Sequence, residues 1–449
     1  EEIGEVVKQL LTAKWNQGTP YNNECPIING DYAWTGCTIT AAAIVMRYHQ
    51  WPEKGEGTIP AYKSEGDFSI DMPARPLGHT YDWKNMPLTY EWGQYTAEQA
   101  KQVSVLMADL GSMLQATYGT EGTGAATSLI AQNLPVYMDY DKGAIQFTRN
   151  RYDSEDWYKL IKDEIYNERP VVYSGFNQSA GHAFVLDGYT SQNYFSVNWG
   201  WGGYCNGYFK LDALVPDGSG IGGNDDHYNF NQAVVVGLKP DEGGDYVYML
   251  SMGPKGMSSS VTEFYKDTPF EVNVDMIINT GGTNFTGKVL CALAGADDSI
   301  KEEYAMFNVN DLPIGWGYTD VGIDVGITEK IEQGDRIRLY YRRDNETQWH
   351  IMKGGPDAVW ELLLTEEFTL DASTSLTYDK ETKEITVISK SGATLSFKSS
   401  NGTDFTGRCK TDGKTTTIGT DGLANDTYTL TISKGSELKE LKIKLNPSK

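Results

Sequence analysis

The spacing of hydrophobic and polar positions changes near Pro240. Before that residue, apolar positions recur at helical spacing in residues 94–114, and an alanine-rich run from Ala41 to Tyr48 also favours a helix. After the linker at residues 239–245, apolar and polar positions alternate with a period of two, which is typical of strands. The clearest alternating segments are residues 270–278, 287–295, 336–341, 383–389, 393–399 and 428–433.

The length and this pattern together predict three domains. A chain of 449 residues is too long for one ordinary domain. Residues 1–240 mix helices with loops rich in Gly and Trp, so we expect one domain there. The β-rich remainder has a predicted break near Glu367, which gives two domains, 245–367 and 368–449. Both sizes suit small β-sandwiches.

The composition excludes some classes of function. Acidic residues number 61 and basic residues 38, a net charge of −23, and nucleic-acid binders need a basic face. No apolar run approaches the roughly 18 residues that a membrane helix needs. We therefore expect no nucleic-acid partner and no membrane span.

Five cysteines are dispersed along the chain: Cys25, Cys37, Cys205, Cys291 and Cys409. They form no C-x-x-C pair and no metal-ligand spacing, so we expect no metal, no cofactor and no disulfide framework. Because their number is odd, at least one thiol is free within a single chain. The first residues lack the pattern of an export signal, which leaves an intracellular protein or a processed, exported form.

Cys37 lies immediately before a helix-forming stretch. A thiol at a helix N-terminus feels the positive end of the helix dipole, which lowers its pKa and favours the thiolate. The sequence thus makes Cys37 a candidate nucleophile, and a buried structural cysteine is the alternative.

A thiolate nucleophile needs a base, and histidine is the usual one. His49 lies twelve residues along the same helix, about 18 Å away, which is too far. His79 and His227 lie in loops without an evident orienting partner, and His350 lies in the β-rich part. His182 remains as the candidate base.

The predicted strands at residues 182–189 and 194–200 surround a polar turn, which places His182 opposite Asn198 or Trp199. An amide at Asn198 can accept the N–H of the imidazole and so orient the ring. A core histidine with satisfied hydrogen bonds is the alternative. Trp199 and Trp201 are packing aromatics or a shield that keeps water from the His–Asn pair.

Gln17 is a candidate for the oxyanion hole. Its amide can donate a hydrogen bond to an oxyanion that forms beside the thiolate. The signal gains weight only because Cys37 and His182 accompany it.

The order Gln, Cys, His, Asn is the papain-type order, and several strings make it specific. NQGTPYN, TGCTITAAAIVMRYHQWP, LMADLGSMLQATYGTEGTGAA, AGHAFVLDGY and FSVNWGWGGYCNGYFKLDAL occur in that order. Together they resemble the streptopain family of bacterial cysteine peptidases over about residues 1–240. The resemblance implies an α+β papain-like catalytic domain, and we expect two all-β immunoglobulin-like sandwich domains after it.

The resemblance also implies roles for individual residues. Cys37 matches the nucleophile, His182 the general base and Gln17 the oxyanion-hole residue. Further matches support the base or line the substrate site: Asn198 and Trp199 for the base, and Gly124, Gly181 and Trp201 for the substrate. Gly124 departs from the family, which has Ser at that position. Residues 216–231, with Asp225, Asp226 and His227, match a Gly-rich loop beside the cleft, and their composition favours mobility.

The expected function is that of a secreted or cell-surface bacterial endopeptidase, associated with virulence, that hydrolyses proteins or peptides through an acyl-enzyme. The family implies an inhibitory propeptide in the precursor, so this sequence resembles a mature form, expected to be a monomer. Two alternatives remain: acyl transfer to an amine, and an adhesin or surface-binding protein that uses the β domains and has a catalytically minor peptidase part.

Overall fold

The computed structural model describes residues 2–216, 227–262, 264–364, 375–379, 381–389, 391–435 and 437–445. The predicted break near Glu367 lies outside these residues. So do positions 217–226 of the predicted Gly-rich loop, including Asp225 and Asp226. The proposed domain boundaries therefore stay a prediction, and the regions below are defined by their sheets.

The first region holds four α-helices and thirteen strands among the described residues. The predicted helices are confirmed as α1 and α2. In chain order the elements are β1 (Val6–Gln9), β2 (Ile27–Ile28), β3 (Asp31–Tyr32), α1 (Cys37–His49), β4 (Thr58–Ile59), β5 (Tyr62–Glu65), β6 (Ser69–Met72), β7 (Arg75–Pro76), α2 (Ala97–Met113), α3 (Ser128–Tyr137), β8 (Ile145–Thr148), α4 (Ser154–Tyr166), β9 (Val171–Phe176), β10 (Gly181–Thr190), β11 (Phe195–Asn198), β12 (Gly207–Phe209) and β13 (Phe230–Val236).

The helices have clear local causes. α2 begins with a capping box, because the Thr96 hydroxyl accepts the Gln99 N–H at 3.1 Å and the Gln99 side chain accepts the Thr96 N–H at 2.9 Å. α1 is apolar around most of its circumference, and its residues from Thr38 to Met46 are buried. Such a helix must be enclosed on all sides. It accordingly packs between α2 and the strands β9 and β10.

A seven-stranded antiparallel sheet forms the other half of this region. Its order is β12-β11-β10-β9-β13-β8, and β1 also pairs with β10. Apolar side chains of this sheet, such as Tyr173, Phe184 and Val234, form a second hydrophobic cluster together with α4. β10 runs through the middle of the sheet and contacts α1, so one strand joins the two halves of the region.

The second region is two packed β-sheets. One has the order β14-β16-β15 with β19 on β16, and the other has the order β18-β17-β20-β21 with β22 on β20. Both sheets contribute to one apolar core that includes Val272 and Val289. The strands are β14 (Leu250–Met252), β15 (Met257–Ser259), β16 (Phe270–Asn279), β17 (Phe285–Ala294), β18 (Ile300–Leu312), β19 (Gly317–Val325), β20 (Arg336–Arg343), β21 (His350–Ile351) and β22 (Glu361–Leu363).

The third region is also two sheets, of order β23-β24-β27-β26 and β25-β28-β29. All six alternating segments of the sequence are confirmed as strands of the second and third regions. The immunoglobulin-like topology stays a prediction. The strands are β23 (Ser375–Asp379), β24 (Glu384–Ile388), β25 (Thr394–Lys398), β26 (Cys409–Asp412), β27 (Thr415–Gly419), β28 (Asp426–Lys434) and β29 (Glu437–Leu445).

Within the described part of the chain, no helix has the length and apolar character needed to cross a membrane.

Candidate active site

Cys37 is the first residue of α1 and is partly exposed, whereas the nine residues after it are buried. The N-cap residue, Gly36, has no side chain, so no side chain caps the first N–H groups of the helix. Only glycine suits this position, because φ is 91° and an added Cβ would lie 2.6 Å from the Thr123 carbonyl oxygen. The sequence therefore places a partly exposed cysteine at the first backbone donors of α1, and its sulfur accepts hydrogen bonds from the N–H groups of Cys37 and Thr38.

The pKa of the Cys37 thiol is raised, not lowered. Burial is the largest cause, and hydrogen bonds from the backbone N–H of Ala183 and from Thr38 oppose it. The expectation that the helix N-terminus would dominate was wrong, since removal of solvent from the sulfur outweighs it. In the unliganded protein at neutral pH, we therefore assign the uncharged thiol to Cys37.

His182 is the second residue of β10 and is 4% exposed. Its Nε2 lies 2.9 Å from the carbonyl oxygen of Trp199. A carbonyl can only accept, so Nε2 carries the proton and Nδ1 is the basic nitrogen of the neutral ring. Because the Cys37 sulfur accepts the N–H of Ala183, the residue next to His182, β10 brings thiol and imidazole to one site.

Four aromatic rings surround the imidazole. The ring centroids lie 4.8 Å away for Trp201, 5.3 Å for Tyr228, 5.8 Å for Phe184 and 6.0 Å for Trp199. Burial among them lowers the pKa of His182 to about 4, and the hydrogen bond to Trp199 opposes this shift. The two tryptophans therefore pack on the imidazole and shield it, which the sequence left as one of two alternatives.

Replacing Trp201 by alanine is expected to move the acid limb of activity to higher pH. Loss of the stacked ring admits water to the imidazole, so the pKa of His182 should rise from about 4 toward its ordinary value of about 6.5. Below its pKa, His182 is already protonated and cannot accept the thiol proton. The pH profile of kcat/KM measures this shift. An acid limb at the wild-type pH in a folded variant would contradict it.

The predicted pairing of His182 with Asn198 was wrong. Asn198 lies opposite Val185, and the ladder is shifted between Leu186 and Gly188. Asp187, inside this irregularity, faces β1, where its carbonyl accepts the Leu10 N–H at 2.7 Å. The turn is centred near residue 192 instead of 190–191, which displaces the register, and the extra residue at the bulge takes back one position, so Asn198 lies three positions from its predicted partner.

The Asn198 side chain bonds a different segment. Its Nδ2 donates to the Thr12 hydroxyl at 3.0 Å and to the Ala13 carbonyl at 2.8 Å, and its Oδ1 accepts the Gly200 N–H at 3.2 Å. It therefore fixes the residues on either side of Trp199, whose carbonyl orients His182. The amide is not the acceptor for the imidazole.

Asn198→Ala is expected to destabilise the fold and to slow catalysis indirectly. The side chain is 2% exposed, so its loss leaves buried partners unpaired, at a cost of about 2–3 kcal/mol. Urea unfolding measures this cost, and kcat per folded molecule should fall as the Trp199 carbonyl shifts. Asn85→Ala is the control, since that half-buried amide bonds only Asp82 among the described residues. Equal stability losses in both variants would contradict the assignment.

Gln17 is 3% exposed and lies in a segment tied to both sides of the site. Its carbonyl accepts the Thr35 N–H at 3.1 Å, two residues before Cys37. The neighbouring Trp15 carbonyl accepts the Gly202 N–H at 2.9 Å. Backbone hydrogen bonds thus hold the predicted oxyanion residue between the Cys37 loop and the loop that follows Trp201.

The two predicted substrate-binding glycines differ in their surroundings. An added Cβ on Gly181 would lie 2.5 Å from the Phe176 ring, so a side chain at this position would require that ring to move. An added Cβ on Gly124 meets no atom within 4 Å. The backbone of Gly124 bonds Thr117 in both directions. A serine, as in the streptopain family, would therefore fit at position 124 without displacing its neighbours.

Trp34 was missed, although an aromatic residue three positions before the candidate thiol was a signal. Its indole N–H donates to the Thr120 carbonyl at 2.9 Å. An added Cβ on Gly18 would lie only 3.0 Å from its ring. Trp34 therefore joins the Gln17 segment to the loop that carries Gly124.

Tyr228 was missed because it is distant from His182 in the sequence. Gly175 lies opposite His182 in the β9–β10 ladder, and an added Cβ there would lie 1.9 Å from the Tyr228 carbonyl oxygen. The absence of a side chain at Gly175 lets the Tyr228 backbone lie over the strand. His227, in the described part of the predicted loop, packs its ring against Phe230.

The remaining histidine and cysteine candidates lie elsewhere. His79 does have an orienting partner, contrary to the sequence reasoning, since its Nε2 lies 2.6 Å from a carboxylate oxygen of Asp109. The Asp109 carboxylate also accepts hydrogen bonds from Arg75 and Tyr81. The five cysteines form no disulfide with one another. In the described ranges, no group of three or more His, Cys, Asp or Glu side chains could hold a metal ion.

Comparison with known proteins identifies the first region. The model of the Peptidase C10 family matches residues 15–209. Streptopain of Streptococcus pyogenes is 36% identical over 252 residues, which are 52% of this chain and 63% of streptopain. The thiol protease/hemagglutinin PrtT of Porphyromonas gingivalis is 35% identical over 233 residues, which are 50% of this chain and 26% of PrtT. The chain thus spans less than two thirds of the length of these relatives.

Among solved structures, the interpain A cysteine protease of Prevotella intermedia is 34% identical, with a TM-score of 0.46, and the match covers 52% of this chain and 95% of that one. The matched residues include Gln17, Cys37, His182 and Asn198. Through residues 15–209 the chain therefore belongs to the Peptidase C10 family, the streptopain-type cysteine peptidases.

Proposed function

We propose that the protein is a secreted or cell-surface cysteine endopeptidase that hydrolyses protein substrates through an acyl-enzyme. One observation carries the proposal: the partly exposed Cys37 thiol at an uncapped helix start accepts the N–H of Ala183, beside a histidine whose Nε2 is held by the Trp199 carbonyl. This leaves Nδ1 of His182 as the only basic atom of the ring.

In the first half of the reaction, His182 Nδ1 takes the thiol proton of Cys37 as the sulfur attacks the peptide carbonyl carbon. The backbone N–H of Cys37 and the Gln17 amide then hold the oxyanion. The protonated imidazole donates its proton to the leaving amine nitrogen, the C–N bond breaks, and a thioester to Cys37 remains.

In the second half, neutral His182 removes a proton from water, whose oxygen attacks the thioester carbon. Collapse of the intermediate breaks the C–S bond, returns the proton to sulfur and releases the acid. A neutral starting pair fits the raised pKa of Cys37 and the lowered pKa of His182. The proton needs to move only when substrate replaces water in the cleft.

We assign supporting roles to the other residues of the site. Asn198 and Trp199 position the imidazole, Trp201 covers it on the substrate side, and the backbones of Gly181 and Gly124 contact the peptide. Gly124 is exposed and an added Cβ there would meet no atom within 4 Å, which supports a backbone contact with substrate at this position. An inhibitory propeptide in a precursor is part of the proposal, as are the three-domain division and a monomeric state.

Casein hydrolysis tests the function, in the presence and absence of a thiol-directed epoxide and of a primary amine. Hydrolysis that the epoxide blocks, with free carboxyl products also in the presence of amine, supports a peptidase. Predominant amide products with the amine would identify an acyltransferase instead. No turnover by folded protein would leave the adhesin alternative and overturn the proposal.

A further inference from the structure

A cavity of about 790 Å³ lies between the first and second regions. This volume is within the range of about 300–1,000 Å³ that is typical of ligand sites, and junctions between domains are a common place for them. One wall comprises β8 and the starts of α3 and α4, and the other comprises β14 and the loops at residues 278–282 and 353–356.

The free edge of β8 faces this cavity. Successive side chains of a strand point to opposite faces, so a cavity on one face would contact only alternate residues. All four residues of β8, from Ile145 to Thr148, line the cavity, which therefore runs along the strand edge. β8 is the last strand of its sheet, and among the described residues its backbone bonds only β13. Its outer N–H and C=O groups can therefore pair with a further strand.

Two cations without a carboxylate partner in the described part of the chain lie at the end of this edge. Arg151 follows β8 closely, and its Nη1 donates to the Met252 carbonyl at 3.1 Å. The N–H of Met252 in turn donates to the Lys353 carbonyl at 2.9 Å. Met252 therefore bonds both basic residues, the side chain of Arg151 and the backbone of Lys353. The ammonium of Lys353 lies 5.1 Å from the centroid of the Trp360 ring.

Two carboxylates also line the cavity, and both belong to the start of α4. Asp153 is the N-cap residue and its Oδ1 accepts the Asp156 N–H at 2.8 Å, so this carboxylate is already engaged. Both side chains are exposed. Arg151 and Lys353 line the cavity without a carboxylate at ion-pair distance among the described residues, so a carboxylate of an occupant can pair with both.

We propose that this cavity binds an extended acidic peptide segment of another protein, which adds to β8 as an eighth strand. The peptide backbone pairs with the edge of β8, its apolar side chains pack between the two walls, and a carboxylate side chain contacts Arg151 and Lys353. The site uses neither Cys37 nor His182, so it stands independently of the proposed peptidase activity.

Calorimetry with the full chain carrying Cys37→Ala tests the proposal without hydrolysis of the probe. The probe is the capped hexapeptide Ac-Val-Thr-Glu-Val-Glu-Val-NH2, and its Glu-to-Gln form is the charge control. We expect Lys353→Gln, and likewise the Gln peptide, to weaken binding about tenfold, since each removes a charge-assisted contact. Lys84→Gln is the matched control, because that exposed lysine lies away from the cavity walls and should leave the affinity unchanged.

Backbone pairing is tested with two N-methylated forms of the peptide, one altered at odd and one at even positions. Only one set of N–H groups of an added strand faces β8, so one form should lose binding and the other retain it. Hydrogen exchange should show protection of amides in residues 145–148 when the unmodified peptide binds. Absence of binding, equal binding of both N-methylated forms, or unprotected β8 amides would each overturn the proposal.

Discussion

Cys37→Ala is expected to abolish peptide hydrolysis. The sulfur is the atom that forms the covalent bond to substrate, and no other described thiol lies at the start of a helix beside His182. Loss of a nucleophile in enzymes of this type lowers the rate by about 10⁴-fold or more, because binding and the oxyanion donors alone retain only a small part of the full rate enhancement. Initial rates of casein cleavage per folded molecule measure the effect.

Cys409→Ala is the matched control, since Cys409 is another partly exposed thiol and lies in the third region. It should retain the wild-type rate. Both variants should stay folded, because alanine is smaller than cysteine and both replaced residues are only partly buried. Substantial activity in Cys37→Ala would remove the basis of the proposed mechanism.

His182→Ala is expected to have the second largest effect, about 10⁴-fold at neutral pH. Without the imidazole, Cys37 must lose its proton to solvent, and burial raises the pKa of this thiol. The residual rate should therefore increase with pH, about tenfold per unit, until the thiol ionises. A simple loss of folding would not produce this slope.

Rates of alkylation and hydrolysis from neutral to alkaline pH measure the dependence. His79→Ala is the control, since the Nε2 of His79 likewise contacts an oxygen, but that oxygen belongs to the Asp109 carboxylate on α2. A flat pH profile in His182→Ala, or a comparable loss in His79→Ala, would contradict the role of His182 as the base.

The elements of the fold and the residue types of the site were predictable because both depend on local patterns. Helical spacing identified α1 and α2, and alternation identified strands of the second and third regions. The position of Cys37 at a helix start follows from the residues around it. These features need no knowledge of distant contacts.

The contacts within the site could not be predicted, because they depend on segments that are distant in the sequence. The pairing of Asn198 depends on the bulge at Asp187, and this bulge depends on hydrogen bonds to β1, a distant segment. The direction of the Cys37 pKa shift depends on burial between α1 and β10. Likewise, the low pKa of His182 requires an aromatic enclosure that only the folded chain assembles, with Tyr228 as one wall.

Mapping of a thiol-directed epoxide by mass spectrometry tests the central claim most directly. The wild-type protein should carry one epoxide per chain, on the peptide that contains Cys37, and casein hydrolysis should fall in proportion to the labelled fraction. The other partly exposed thiols, Cys205 and Cys409, should stay unlabelled. Labelling at another cysteine, or full hydrolysis after complete labelling of Cys37, would contradict the account.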